Sequence, residues 1–205
     1  MNYMLYILFG YLSGSVMYAY LIPKYFYELD ICKISDDKNP GAANVFKYVG
    51  KKVGILVVTL EVVKGFLPVF LACRNLNMEH VLFSLVLTAP VLGHAFPFWN
   101  AKKGGKSIAV SFGSLLGLYP ALTPVLALAG CYLLFSLVIV IVPHLFRTVI
   151  TYGCFCGYSI FLVDNKCVIA GCLLISFLVI GKHIMKYQGE KMEIHVGNLW
   201  RLRCR

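Results

Sequence analysis

Apolar stretches at about residues 5–22, 54–73, 80–99, 108–119, 126–142, 148–163 and 167–181 alternate with polar segments along the chain. A run of about 20 apolar residues is long enough to cross a bilayer as a helix. The pattern predicts an all-α integral membrane protein with about seven transmembrane helices in a single domain, residues 1–205. The first stretch lacks a basic leader and a small-residue cleavage site, so it is expected to be retained as helix one. It carries Ser13-Gly14-Ser15, small residues that let another backbone approach. The second contains Glu61 and Lys64, three residues apart and therefore on one helix face. Charges at that depth are costly unless they pair or face a polar cavity, which leaves two readings, a structural ion pair or a site lining. The fourth stretch is short and rich in Ser111, Gly113, Ser114 and Gly117, which places it among other helices instead of against lipid.

Two polar segments exceed what a connector needs. Residues 30–47 form a long polar loop, and residues 93–107 turn abruptly basic and glycine-rich. Seven spans put loops on alternate sides, and the charges then divide sharply. One side holds both polar segments, Arg147 and the basic tail through Arg205, whereas the other holds only Arg74 and Lys166. The positive-inside rule therefore predicts an outside N-terminus and a cytoplasmic C-terminus, with every elaborate polar motif on the cytoplasmic face.

Composition narrows the class further. With 60% hydrophobic and 14% charged residues, the chain leaves hardly any room for a soluble domain beside the spans. The net charge of +10 points to anionic membrane lipid and not to nucleic acid. The eight cysteines are scattered, most in apolar runs, and indicate neither a disulfide frame nor a metal site. No cofactor is expected, and the sequence leaves the oligomeric state open. There is no internal repeat, which counts against a transporter.

The chemistry concentrates in Lys103-Gly104-Gly105-Lys106. Adjacent glycines let backbone N–H groups approach an anion while the lysines supply charge, although such a cluster after a span is also what an ordinary positive-inside anchor looks like.

Ser13-Gly14-Ser15 with Tyr20-Leu21-Ile22-Pro23-Lys24, then Asn39-Pro40-Gly41-Ala42-Ala43-Asn44, then Gly93-His94-Ala95-Phe96-Pro97 with Lys103-Gly104-Gly105-Lys106, resemble in order and spacing the three motifs of one family. It is the acyl-phosphate-dependent glycerol-3-phosphate acyltransferases of bacterial membranes, the PlsY family. The resemblance implies a multi-pass enzyme of the bacterial plasma membrane with seven helices and a cytoplasmic-side active site. It would transfer a fatty acyl group from acyl phosphate to the 1-hydroxyl of glycerol 3-phosphate, giving lysophosphatidate for phospholipid synthesis. It also implies that Lys47 and Lys106 bind phosphate, that Lys103 helps, and that the amides of Gly41, Gly104 and Gly105 complete a cradle. Asn39 and Asn44 would orient substrate, stabilise a turn, or do both. His94 and His183 are candidate general bases, with proton uptake by a substrate phosphate as the alternative. His80, His144 and His195 have no motif around them and read as surface or interfacial residues.

Several positions depart from the family pattern. Asp36-Asp37-Lys38 stands where the family has Gly-Ser-Gly, Ala43 replaces a threonine and Lys47 an arginine, which loses the bidentate fork. The family's Arg-His-x-x-Asn has become Lys182-His183-Ile184-Met185-Lys186. Asp36 and Asp37 hold a substrate hydroxyl or a cation, cap a turn, or balance local charge. The rival readings are an acyltransferase with another acceptor and a non-catalytic membrane protein, a transporter or lipid-binding protein, on the same scaffold.

Overall fold

The computed structural model describes residues 2–187, 189 and 191–196; the tail cations Arg201, Arg203 and Arg205 lie outside the described residues. The chain forms α1 (Tyr3–Ser15), α2 (Tyr18–Phe26), α3 (Ile31–Ile34), α4 (Ala42–Tyr48), α5 (Lys51–Asn75), α6 (Phe83–Ala95), α7 (Ile108–Leu116), α8 (Thr123–Leu133), β1 (Ile139–Val142), α9 (His144–Leu162), α10 (Lys166–Met185) and β2 (Glu193–Val196). The fold is mostly helical, and all-α needs one correction: β1 and β2 pair antiparallel, from Ile139 opposite Val196 to Val142 opposite Glu193.

Four helical segments are long and apolar enough to cross a membrane: Tyr3–Phe26, Lys51–Asn75, His144–Leu162 and Lys166–Met185. The stretches expected at 80–99 and 108–119 form shorter helices. At 1.5 Å per residue, the 13 residues of α6 reach only about 20 Å, against a hydrocarbon core of about 30 Å. α6 is instead the core helix, with 11 of its residues buried. It packs between α1 and α10, while α7 lies along α5 and α9 lies between α8 and α10.

The expected helix at 126–142 also ends early. α8 runs into a π turn over Leu134–Val138, after which the β-branched run Ile139-Val140-Ile141-Val142 adopts the extended conformation such side chains favour. Pro143, which has no N–H to continue a ladder, closes that strand.

The first span is likewise not one continuous helix. It breaks at Val16 and Met17, which have extended or irregular backbone, before α2 resumes. A break exposes carbonyls that need donors at membrane depth. The Trp99 indole N–H donates to Ser15 O at 2.9 Å, and the Lys64 ammonium donates to Val16 O. Beyond the break, Ala19 N donates to Glu61 Oε1 at 3.3 Å.

Close helix crossings rest on glycine. A Cβ at Gly14 would collide with the backbone of Pro90 in α6, and one at Gly93 with the Tyr11 carbonyl of α1. Gly113 of α7 meets the Val62 carbonyl of α5 in the same way. Gly113→Leu should therefore lower the thermal midpoint of the detergent-solubilised protein, since overpacking costs about 1–3 kcal/mol. Gly153→Leu on α9, where a Cβ meets nothing within 4 Å, should leave the midpoint unchanged; equal effects of the two would contradict the crossing.

Candidate active site

The loop from α6 to α7 is built to carry Lys106. Asn100 caps a tight turn at Ala101–Lys103 by accepting from Lys102 N at 3.1 Å. Gly104 packs directly on the Ala95 carbonyl and Gly105 on the His94 ring, both positions where a Cβ would clash. Ser107, in the left-handed region at φ 61°, then turns the chain into α7. Lys106 projects from this turn to Asp37, with Nζ 2.8 Å from Oδ2.

Asp37 joins the loop to the 30–47 segment. Its Oδ1 accepts from Asn44 Nδ2 at 2.8 Å and from Asn39 N at 3.2 Å, the latter a turn two residues on. Asn44 Nδ2 also donates to Asn39 O at 2.8 Å. Lys186, just past α10, donates to Asn39 Oδ1 at 2.9 Å and to Gly104 O at 3.0 Å. One hydrogen-bonded network thus holds the second motif, the third motif and the end of α10 together. Burial pushes the Asp37 carboxyl up, but the bonds from Lys106 and Asn44 outweigh it and hold the group below the usual carboxylate range. Burial, reinforced by nearby Lys182, pushes Lys186 down to about 8. Asp36 turns outward to Lys47, 2.9 Å away, and that exposed pair keeps the Asp36 carboxyl low and the Lys47 ammonium high.

Two cavities meet around this network. One, of about 490 Å³, is mostly apolar, with Val58, Val62, Ile108, Ala109 and Phe112 in its lining, and it also reaches Asn39 and Gly41. The other, of about 220 Å³, is more polar and includes Asp36 and Lys186. Asp37, Asn44, Lys106, His144 and His183 line both.

Beneath the larger cavity lies a buried cluster that answers the question posed by Glu61 and Lys64. Glu61 Oε2 is 2.6 Å from Lys64 Nζ and 3.0 Å from His94 Nδ1, and Lys64 Nζ is 3.0 Å from the same ring nitrogen. The pair is a structural ion pair and Glu61 also lines the cavity, so both readings hold.

Other expected residues are engaged within the fold. Lys103 lines neither cavity; its Nζ donates to the Tyr20 hydroxyl at 2.8 Å. Lys47 is committed to Asp36 and also stands outside both. The amide of Gly105 donates to His94 O at 3.1 Å and that of Gly41 to Asn39 O at 2.9 Å, so neither amide is free to cradle an anion. These glycines serve close packing and turn geometry. His94 lines the cavity, but Nδ1 belongs to the ion cluster and Nε2 faces Gly105. His183 donates Nδ1–H to Val179 O at 2.8 Å, with Nε2 3.3 Å from the Thr148 hydroxyl.

The sequence reading passed over Lys186 and His144 as site residues. A signal existed for both, because the charge division assigns their segments to the same side as the motifs. If the polar cavity takes a phosphate, its affinity should fall as pH rises from about 7 to about 9, because Lys186 loses its charge through about 8. Calorimetric titration with glycerol 3-phosphate checks this, and Lys186→Gln should weaken binding and flatten the dependence.

Residues 4–189 match the family profile described as glycerol-3-phosphate acyltransferase. A glycerol-3-phosphate acyltransferase of Hydrogenobaculum sp. is 33% identical over 177 residues, covering 85% of this chain and 86% of that protein. One of Macrococcus caseolyticus is 36% identical over 137 residues, covering 66% and 69%. The crystal structure of PlsY, an integral membrane glycerol 3-phosphate acyltransferase, in its glycerol 3-phosphate form superposes with a TM-score of 0.77 at 25% identity, covering 89% of this chain and 88% of that one. Its lysophosphatidic acid form gives 0.73 at 24% identity, a likeness of fold. With a family match along nearly its whole length and a relative of comparable length at one-third identity, the chain belongs to the glycerol-3-phosphate acyltransferase family.

Proposed function

We propose that the protein is the membrane acyltransferase that moves a fatty acyl group from acyl phosphate to the 1-hydroxyl of glycerol 3-phosphate, making lysophosphatidate for phospholipid synthesis. The observation that carries this reading is the pair of cavities, one apolar and one polar, sharing Asp37, Asn44, Lys106, His144 and His183. An acyl chain suits the larger cavity and a small phosphate-bearing acceptor suits the smaller. The carbonyl to be attacked then lies where the two meet.

The chemistry asks little of the protein beyond alignment. An acyl phosphate is a mixed anhydride with a good leaving group, so direct attack by the acceptor hydroxyl needs positioning and cations, not a covalent acyl-enzyme. Lys106 lines both cavities and serves the phosphate that departs, and Lys186 serves the acceptor phosphate. Asn39 and Asn44 orient the polar groups. Asp37 holds Lys106 until substrate displaces it, and Asp36 does the same for Lys47 at the rim. His94 acts from within the ion cluster by fixing the loop, and Gly104 and Gly105 give Lys106 its approach.

In this reading the chain crosses a bacterial plasma membrane with its N-terminus outside and its C-terminus in the cytoplasm. The division of charge between alternate loops supports that orientation, and the four long apolar helices and the short α6, α7 and α8 together supply seven segments.

Purified protein given palmitoyl phosphate and radiolabelled glycerol 3-phosphate should form lysophosphatidate. Lys106→Ala should lower kcat by about 10²–10³-fold, the loss typical of removing one transition-state donor. Normal turnover in a correctly inserted variant removes Lys106 from the site, and no turnover by folded wild-type protein points to a different acceptor or a non-catalytic role.

A further inference from the structure

Five histidines are present, and three of them, His94, His144 and His183, line the cavities. The two that lie in family-like motifs are spent. His94 is 5% exposed, with Nδ1 bound by Glu61 and Lys64 and Nε2 against Gly105. His183 is 2% exposed; a carbonyl accepts and does not donate, so its Nδ1 carries the proton bonded to Val179 O, and Nε2 turns to Thr148. His144 differs in exposure and in hydrogen bonding. It is exposed, it borders both cavities, and among the described residues its ring makes no hydrogen bond or ion pair.

His144 is the first residue of α9, a 19-residue helix. The charged and titratable groups near it are Lys106, Arg147, Asp37, Tyr132, His183 and Lys186.

We propose that His144 is the catalytic residue that takes the proton from the acceptor hydroxyl. This rests on the acyl-transfer reading above. The hydroxyl oxygen bonds to the acyl carbonyl carbon. The bond from that carbon to the phosphate oxygen breaks, its electron pair leaving with inorganic phosphate. The hydroxyl proton passes to an imidazole nitrogen of His144 and from there to the departing phosphate or to water. No further reactant is needed.

The test compares wild type, His144→Ala and His144→Gln in detergent or lipid nanodiscs, with palmitoyl phosphate and glycerol 3-phosphate. His144→Ala should lower kcat by about 10²–10⁴-fold, the usual worth of general base catalysis, with KM little changed. The acid limb of the kcat profile should vanish in both variants. Added imidazole should restore part of the activity of His144→Ala and none of that of Lys106→Ala, an outcome that a merely structural loss would not give. Calorimetric binding of glycerol 3-phosphate by His144→Gln keeps the result interpretable if His144→Ala folds poorly. Retained kcat with an unchanged pH profile in both variants overturns the proposal and leaves proton uptake to a substrate phosphate. A raised KM at unchanged kcat also overturns it, making His144 a phosphate contact. Failure of wild type itself to turn over overturns the acyl-transfer reading, which separates the two failures.

Discussion

Glu61, Lys64 and His94 form the contact on which the site depends. Three ionisable side chains, each at most 5% exposed, neutralise one another inside an otherwise apolar bundle. Removing one member of a buried ion pair typically costs about 3–5 kcal/mol, because the partner is left charged and unsolvated. Here the expense is tied to architecture. Lys64 completes the carbonyl exposed where the first span breaks, Glu61 completes an amide at the start of α2, and His94 anchors Gly105. Three separate chain segments are thereby fixed in relation to the residue that bears Lys106.

Close packing and ionic locking divide the work. Glycines at the α1–α6 and α5–α7 crossings bring backbones together, so that the short α6 becomes the hub. The broken first span then appears as a means of opening a polar floor beneath an apolar chamber. The carbonyls released by the break are used by Trp99 and Lys64, which tether the loop and the core to it.

Much of this was legible in the sequence, and the misses have physical causes. Hydropathy found the seven apolar segments but not their lengths, because an apolar run reports burial whether the partner is lipid or protein; α6 is the case in point. It missed the strand at Ile139–Val142 because four β-branched residues look equally apolar in a helix, and only pairing with Glu193–Val196 selects the extended form. The spacing of Glu61 and Lys64 announced their pairing, whereas the arrival of His94 from another helix depends on tertiary folding. Motif matching singled out Asn44 and Lys106, a departure from the motif singled out Asp37, and His144 was passed over, since a motif records a pattern along the chain and His144 reaches the cavities through space. Nor does a motif tell that the Lys103 side chain and the Gly41 and Gly105 amides are engaged within the fold.

Asp37 gives Lys106 an occupant before any substrate arrives. The carboxylate thus neutralises an ammonium that lies beside an apolar chamber. Under the proposed function, recognition becomes a trade of one anion for another, and affinity reflects the margin by which phosphate outcompetes a tethered carboxylate. Such a site resembles an ion exchanger more than a trap. In that reading its occupancy is buffered against passing monovalent anions, and the returning carboxylate helps product phosphate to leave.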